Sequence, residues 1–188
     1  MKKNFLITSP PGTGKTTAIK KFIALTGGKF KVSGFITEEI RDQKGKRVGF
    51  KITTLDGKPG ILADINLKNS PKVGKYGVNL KDIDNIAVPS INLNSDIIVI
   101  DEIGKMECFS KSFVQRVFEV LDSEKILVGT IKEKGDEIIN KIKSRNDVEL
   151  IKLTLENRDE IPFLIFQKVA SLLDKVYPPH GEKTKSSN

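Results

Sequence analysis

Two short stretches of this sequence carry residue types at spacings suited to handling phosphates. The first is Ser9-Pro-Pro-Gly12-Thr-Gly14-Lys15-Thr16. Asn4-Phe-Leu-Ile-Thr8 precedes it as a short buried-strand signal, and Ala18, Ile19, Phe22 and Ile23 follow at helical spacing. A glycine-rich turn between strand and helix aims backbone N–H groups into one concavity at a helix N-terminus, where aligned peptide dipoles favour negative charge. Gly12 and Gly14 let the backbone turn and approach phosphate oxygens with no side chain in the way. Lys15 supplies positive charge to β- and γ-phosphates, and the Thr16 hydroxyl can ligate Mg²⁺. The whole run of Thr8, Ser9, Pro10, Pro11, Gly12, Thr13, Gly14, Lys15, Thr16 and Thr17 is therefore expected to bind a nucleotide. The pattern G-x-x-x-x-G-K-[ST] asks for glycine where Ser9 stands. Serine is small and its backbone need not be left-handed there, so a modest effect is expected.

The second stretch is Ile97-Ile-Val-Ile-Asp101-Glu102, two acids where the chain leaves an apolar run. Asp101 can hold Mg²⁺ through its water shell, completing a metal site with Thr16. Glu102 is then placed to polarise a water for in-line attack on a γ-phosphate. Val99, Ile100, Ile103, Gly104, Lys105 and Met106 flank these acids and are expected to border the nucleotide. Lys105 is expected to assist catalysis, and with Glu107 to position the phosphates or Glu102. Thr130, ending another apolar run, either senses the γ-phosphate or caps its strand. Arg41, Arg116, Arg145 and Arg158 are candidates to neutralise charge on the transferring group.

These residues need a scaffold of alternating strands and helices. Gly27-Gly28 stops the first helix, and residues 30–37 read as the next strand. Residues 47–54 and 60–65 flank Asp56-Gly57-Lys58-Pro59, which is hairpin chemistry, so antiparallel additions are expected. The pattern weakens from Asn66 to Leu93, which reads as a substrate-side insertion. Ser112-x-x-Gln115 is a capping-box pattern ahead of the helical stripe Phe113, Val114, Val117, Phe118 and Leu121. Residues 125–131 form a further buried strand, Asp136 opens a short helix, 148–153 is a strand, and 159–176 is an amphipathic helix with Pro162 tolerated in its first turn. Such alternation implies a mostly parallel sheet covered on both faces, with ligands beyond the carboxyl ends of its strands.

A chain of 188 residues with 38% apolar content supports one domain, expected over 1–177, with 178–188 as a frayed tail in which His180 is inert. No signal peptide or membrane-length apolar run is visible. Lone Cys108 reads as a buried or partly buried thiol and fits a reducing cytoplasm, the expected location. The net charge of +8 raises nucleic acid as a partner. Yet lysines are interspersed with acids and aromatics are few, so a solvated lysine-rich surface accounts for it better.

The long interval between Lys15 and Asp101, with Glu following the Asp, resembles the RecA-like branch of P-loop proteins; the simple kinase branch more often lacks that Glu. More specifically, Asp101-Glu-Ile-Gly-Lys-Met-Glu107, Gly34-Phe-Ile-Thr37, Glu39-Ile-Arg41, Gly74-Lys-Tyr-Gly-Val78, Gly129-Thr130 and Glu156-Asn-Arg-Asp159 resemble the signatures of the cancer-related, thermophile-typified nucleoside triphosphatase family. The resemblance implies a three-layer α/β P-loop NTPase fold of RecA-like type, mostly parallel with added antiparallel strands. It implies Mg²⁺-dependent hydrolysis of ATP, GTP, CTP, UTP and other nucleoside triphosphates, with weak base selectivity. The chief alternative is a nucleotide or small-metabolite kinase whose acceptor lies near residues 66–95. A GTP-binding switch is disfavoured, because Asn140-Lys-Ile-Lys143 fails at the last position of the guanine-reading Asn-Lys-x-Asp. A nucleic-acid motor would rest on charge alone.

Overall fold

In the computed structural model, which describes residues 1–176, the strand before the glycine-rich turn, β1 (Asn4–Thr8), is buried along its length. Its side chains divide between two cores with the period of an extended chain: Phe5 and Ile7 join one apolar cluster and Leu6 the other. Strands buried on both faces read as continuous apolar runs, and this explains the composition of β1, of β7 (Ile97–Ile103) and of β8 (Ile126–Ile131).

The remaining strands are β2 (Val32–Arg41), β3 (Arg47–Thr54), β4 (Pro59–Asp64), β5 (Lys72–Val73), β6 (Tyr76–Val78) and β9 (Val148–Lys152). All belong to one nine-stranded sheet in the order β5-β6-β4-β3-β2-β7-β8-β1-β9. The part from β2 to β9 is parallel, and β3, β4, β6 and β5 extend it antiparallel. On one face lie α1 (Lys15–Thr26) and α6 (Ile161–Val176), whose Ala18, Ile19, Phe22, Ile165 and Val169 are buried. The other face carries α4 (Lys111–Asp122), α5 (Glu137–Lys143) and a helical segment made of α2 (Leu80–Asp82), a π-helical turn Ile83–Ala87, and α3 (Val88–Ser90). This is the three-layer α/β arrangement expected, mostly parallel with added antiparallel strands. Among the described residues no helix is long and apolar enough to cross a membrane.

Two glycines let neighbouring strands close on β7. A Cβ at Gly34, where φ is +120°, would lie 1.8 Å from the Val99 carbonyl oxygen, and one at Gly129 would lie 2.4 Å from that of Ile100. The edges of β2 and β8 can therefore seal the strand that delivers Asp101.

Several boundaries differ from expectation for physical reasons. β7 runs through Asp101 and Glu102, because pairing with β8 resumes at Ile103 and Ile131 after an irregularity. β2 reaches Arg41 because β3 pairs with it from Phe35 onward. The cap of α4 is Ser110, whose hydroxyl accepts from the Phe113 amide at 3.0 Å; Ser112 lies inside the first turn, so the true cap stands two residues before the capping-box pattern. Residues 66–93 extend the sheet edge and bury Val78, Ile83, Ala87 and Ile91 in the core, packing on β3, β4 and α4. They build part of the scaffold, and Asp84 accepts from the Ser110 hydroxyl just past Glu107. The expected tail and His180 lie outside the described residues.

Candidate active site

The phosphate-loop geometry follows from local chemistry. Gly12 and Gly14 have φ of +80° and +107°, values that a side chain disfavours. Gly14 is the N-cap of α1, no side chain caps that end, and no acid lies in the first turn. The first amides of α1 and the positive end of its dipole are thus left for an anion. Ser9 is buried and, among the described residues, no residue other than glycine has positive φ, so serine is tolerated at the first position of the motif. Its carbonyl accepts from Lys15 Nζ at 3.2 Å. Thr13 Oγ1 donates to the Pro10 carbonyl at 2.9 Å and stiffens the turn. Pro10, Pro11 and Thr17 are exposed around it.

The ends of β7 and β8 supply the acids. Asp101 is 1% exposed. Its Oδ1 accepts from Thr130 Oγ1 at 2.7 Å, while its Oδ2 has no hydrogen-bond partner. Burial pushes the carboxyl above its usual range, opposed by the Thr130 and Thr16 hydroxyls, the Thr37 backbone and the Lys15 charge. The Asp101–Glu102 peptide is cis. Thr8 Oγ1 is likewise buried without a partner.

A sealed carboxylate with one idle oxygen, beside a hydroxyl, is costly unless a cation compensates it. An all-oxygen donor set suits a hard divalent ion. Among the described residues no group of three His, Cys, Asp or Glu could hold a metal; Thr16 and Asp101 offer one hydroxyl and one carboxylate, oxygen donors of the kind a hard divalent ion takes.

Glu102 is half-buried. Burial raises its carboxyl, the Lys15 charge lowers it, Asp101 raises it and Lys132 lowers it. Beyond it the chain turns at Gly104, where a Cβ would meet Glu107 Oε2 at 2.9 Å and Glu102 Oε1 at 3.0 Å. Glu107 is buried, and its carboxyl is pushed up to about 8, chiefly by burial and then by the Glu102 charge. Two acids therefore share the space left by one glycine, with the inner one protonated near neutrality.

The other sequence candidates separate clearly. Val99, Ile100 and Ile103 are core residues, and Met106 packs against the core, so their side chains are occupied with packing. Lys105 is exposed. Thr130 turns its hydroxyl to Asp101. Cys108 is partly buried and its thiol is pushed up to about 12, chiefly by burial, which disfavours the thiolate. Arg41 bonds to Glu39 and the Gly45 carbonyl, Arg116 to Glu119 and the Ile91 carbonyl, and Arg145 to Asp122 and Asp147. Arg158 instead runs beside the phosphate loop, its Cδ 3.9 Å from where a Gly14 Cβ would stand. Two contributors escaped sequence reasoning, the Thr37 backbone and the Lys132 charge. Both reach the acids through strand adjacency, for which the sequence carries no local signal.

Comparison with known proteins agrees with this geometry. The profile of a family described as NTPase matches residues 4–166. The nucleoside-triphosphatase THEP1 of Thermotoga sp. (strain RQ2) is 50% identical over 159 residues, 83% of this chain and 89% of that protein. The human cancer-related nucleoside-triphosphatase is 38% identical over 179 residues, covering 86% and 93%. The crystal structure of THEP1 from Aquifex aeolicus superposes with a TM-score of 0.79 at 34% identity, over 88% of this chain and 98% of that one.

Proposed function

This chain belongs to the NTPase family, and we propose that it is a Mg²⁺-dependent nucleoside triphosphatase that converts ATP, GTP, CTP and UTP to the diphosphate and inorganic phosphate with little base selectivity.

The observation that carries it is the convergence of Lys15, Thr16, Asp101 and Glu102 at the carboxyl ends of β1 and β7, with Asp101 Oδ2 buried and unpartnered. The loop amides and Lys15 bind the phosphates and withdraw charge from the γ-phosphoryl group. Thr16 and Asp101 would hold the divalent ion, which when bound neutralises charge on the β- and γ-oxygens. Glu102 takes a proton from the attacking water as its oxygen bonds to the γ-phosphorus; the bond to the β–γ bridging oxygen breaks, and its electrons leave with the nucleoside diphosphate. Burial raises the proton affinity of Glu102, with the Lys15 and Lys132 charges opposing the rise, and a carboxylate of raised proton affinity is the stronger base toward water.

The test is phosphate release from each of the four triphosphates with Mg²⁺ and no added acceptor, for the native chain and Glu102→Gln. The native chain should hydrolyse all four. The variant should bind nucleotide but lose about 10²–10⁴-fold in kcat, the usual contribution of a positioned base. Phosphate transfer only when a second substrate is supplied would replace this reading with a kinase.

A further inference from the structure

We propose that Arg158 and Leu155, on the turn between β9 and α6, hold the nucleoside end of the substrate by the face of its base, and so produce the weak base selectivity. This inference rests on a nucleoside triphosphate occupying the phosphate loop as argued above.

The strand order gives the substrate a direction. β1 delivers the loop, with β8 and β7 on one side and β9 on the other. Thr130, Asp101 and Glu102 all lie on the β8–β7 side, where the γ-phosphate must sit for hydrolysis. A triphosphate laid along the loop then presents its nucleoside toward β9. Residues 154–160 follow β9, and there Arg158 Cδ comes within 3.9 Å of where a Gly14 Cβ would stand.

What the turn leaves free decides how it can bind. The Thr154 amide donates to Asn157 Oδ1 at 2.8 Å, the Asn157 amide to Thr154 Oγ1 at 3.3 Å, and Asn157 Nδ2 to the Lys152 carbonyl at 3.0 Å. The amides of Arg158, Glu160 and Ile161 donate to carbonyls of the same turn. Asp159 is taken by Lys21. The Asn157 side chain, these five amides and the Asp159 carboxylate are thus engaged, which reduces what the turn can offer to a base edge. Among the described residues no carboxylate or carbonyl pairs with the Arg158 guanidinium, and Leu155 is 64% exposed. A planar guanidinium and an aliphatic side chain grip any base by its face, because every base has a π-surface. Attachment without edge reading is attachment without selectivity.

The experiment compares Arg158→Ala and Arg158→Lys with the native chain, measuring kcat and KM for ATP, GTP, CTP and UTP. Inorganic tripolyphosphate, which has the same anhydrides and no base, is measured as a competitor. Removing a stacking partner should raise KM about tenfold for all four triphosphates alike, with kcat changed less than about twofold. Lysine should not restore it, and tripolyphosphate inhibition and the melting temperature should stay the same. Equal weakening of tripolyphosphate would mean that Arg158 clamps the phosphate chain, and a fall in kcat at constant KM that it acts on the transferring phosphoryl group. Either result, or no change, overturns the proposal. Should the native chain hydrolyse no triphosphate, the proposed function fails by itself; Kd values for ADP and pyrophosphate, native against Arg158→Ala, then still decide the arginine's role.

Discussion

The Thr130 hydroxyl donates to Oδ1 of Asp101 at 2.7 Å, across the boundary between β8 and β7. Both residues are buried, so the bond is one of the few things that makes an ionised Asp101 tolerable in the absence of a cation. It also turns the carboxylate so that Oδ2 is the oxygen left unpaired.

Thr130→Val keeps the shape of this side chain and removes its donor. We expect a loss of about 1–3 kcal/mol in stability without Mg²⁺, the cost of orphaning a buried acceptor. The Mg²⁺ concentration for half-maximal activity should rise about tenfold, as for other groups that orient metal ligands. Thr130→Ser should behave as the native chain. Chemical denaturation and a Mg²⁺ titration check this, and an unchanged Mg²⁺ requirement in the valine variant would remove Thr130 from the metal site.

Glu107 gives a pH prediction. Its carboxyl is pushed up to about 8 in the folded chain, against about 4.3 when unfolded. Between these values the folded state holds a proton that the unfolded state has lost, so stability must fall as pH rises through this window and level off above it. A tenfold change in proton affinity is worth about 1.4 kcal/mol, so the total is several kcal/mol at most. Glu107→Gln keeps the neutral shape and should flatten the profile, making the variant more stable than the native chain at pH 8.5 and about equal at pH 5. Urea unfolding at both pH values reads this directly. Parallel profiles for the two proteins would show that Glu107 is ionised in the fold.

What could be read from the sequence was what depends on neighbours along the chain. The loop from Ser9 to Thr16 is set by its own glycines and by the helix it opens, and β1, α1 and the β3–β4 hairpin carry their own periodicity or turn. Ser110 and Ser112 both precede Phe113, and only the extended backbone at Ser110 selects the true cap. Residues 66–93 bury Val78, Ile83, Ala87 and Ile91 one at a time against other elements, leaving no stripe to detect. Asp101 stood out in the sequence as a candidate ligand, but its bond to Thr130 and the approach of Arg158 to Gly14 depend on how distant segments pack.

Ser9 is the one departure from the phosphate-loop pattern, and its structure says what the missing glycine is worth. The residue is buried, its φ is not positive, and the loop uses its carbonyl, which accepts from Lys15. A carbonyl is common to every residue, so Ser9→Gly should leave the lysine and the anion-binding amides where they are. Glycine does add backbone freedom to the unfolded chain, which costs about 0.5–1 kcal/mol. The Ser9 Oγ bond to the Pro10 carbonyl at 3.1 Å would also be lost. We therefore expect kcat/KM for ATP within about threefold of the native value, under about 1 kcal/mol in transition-state binding, together with a slightly lower melting temperature. Steady-state kinetics and a thermal melt of the same preparation measure both. A tenfold gain in kcat/KM would show instead that the serine side chain obstructs the phosphates, and that the loop must open to admit them.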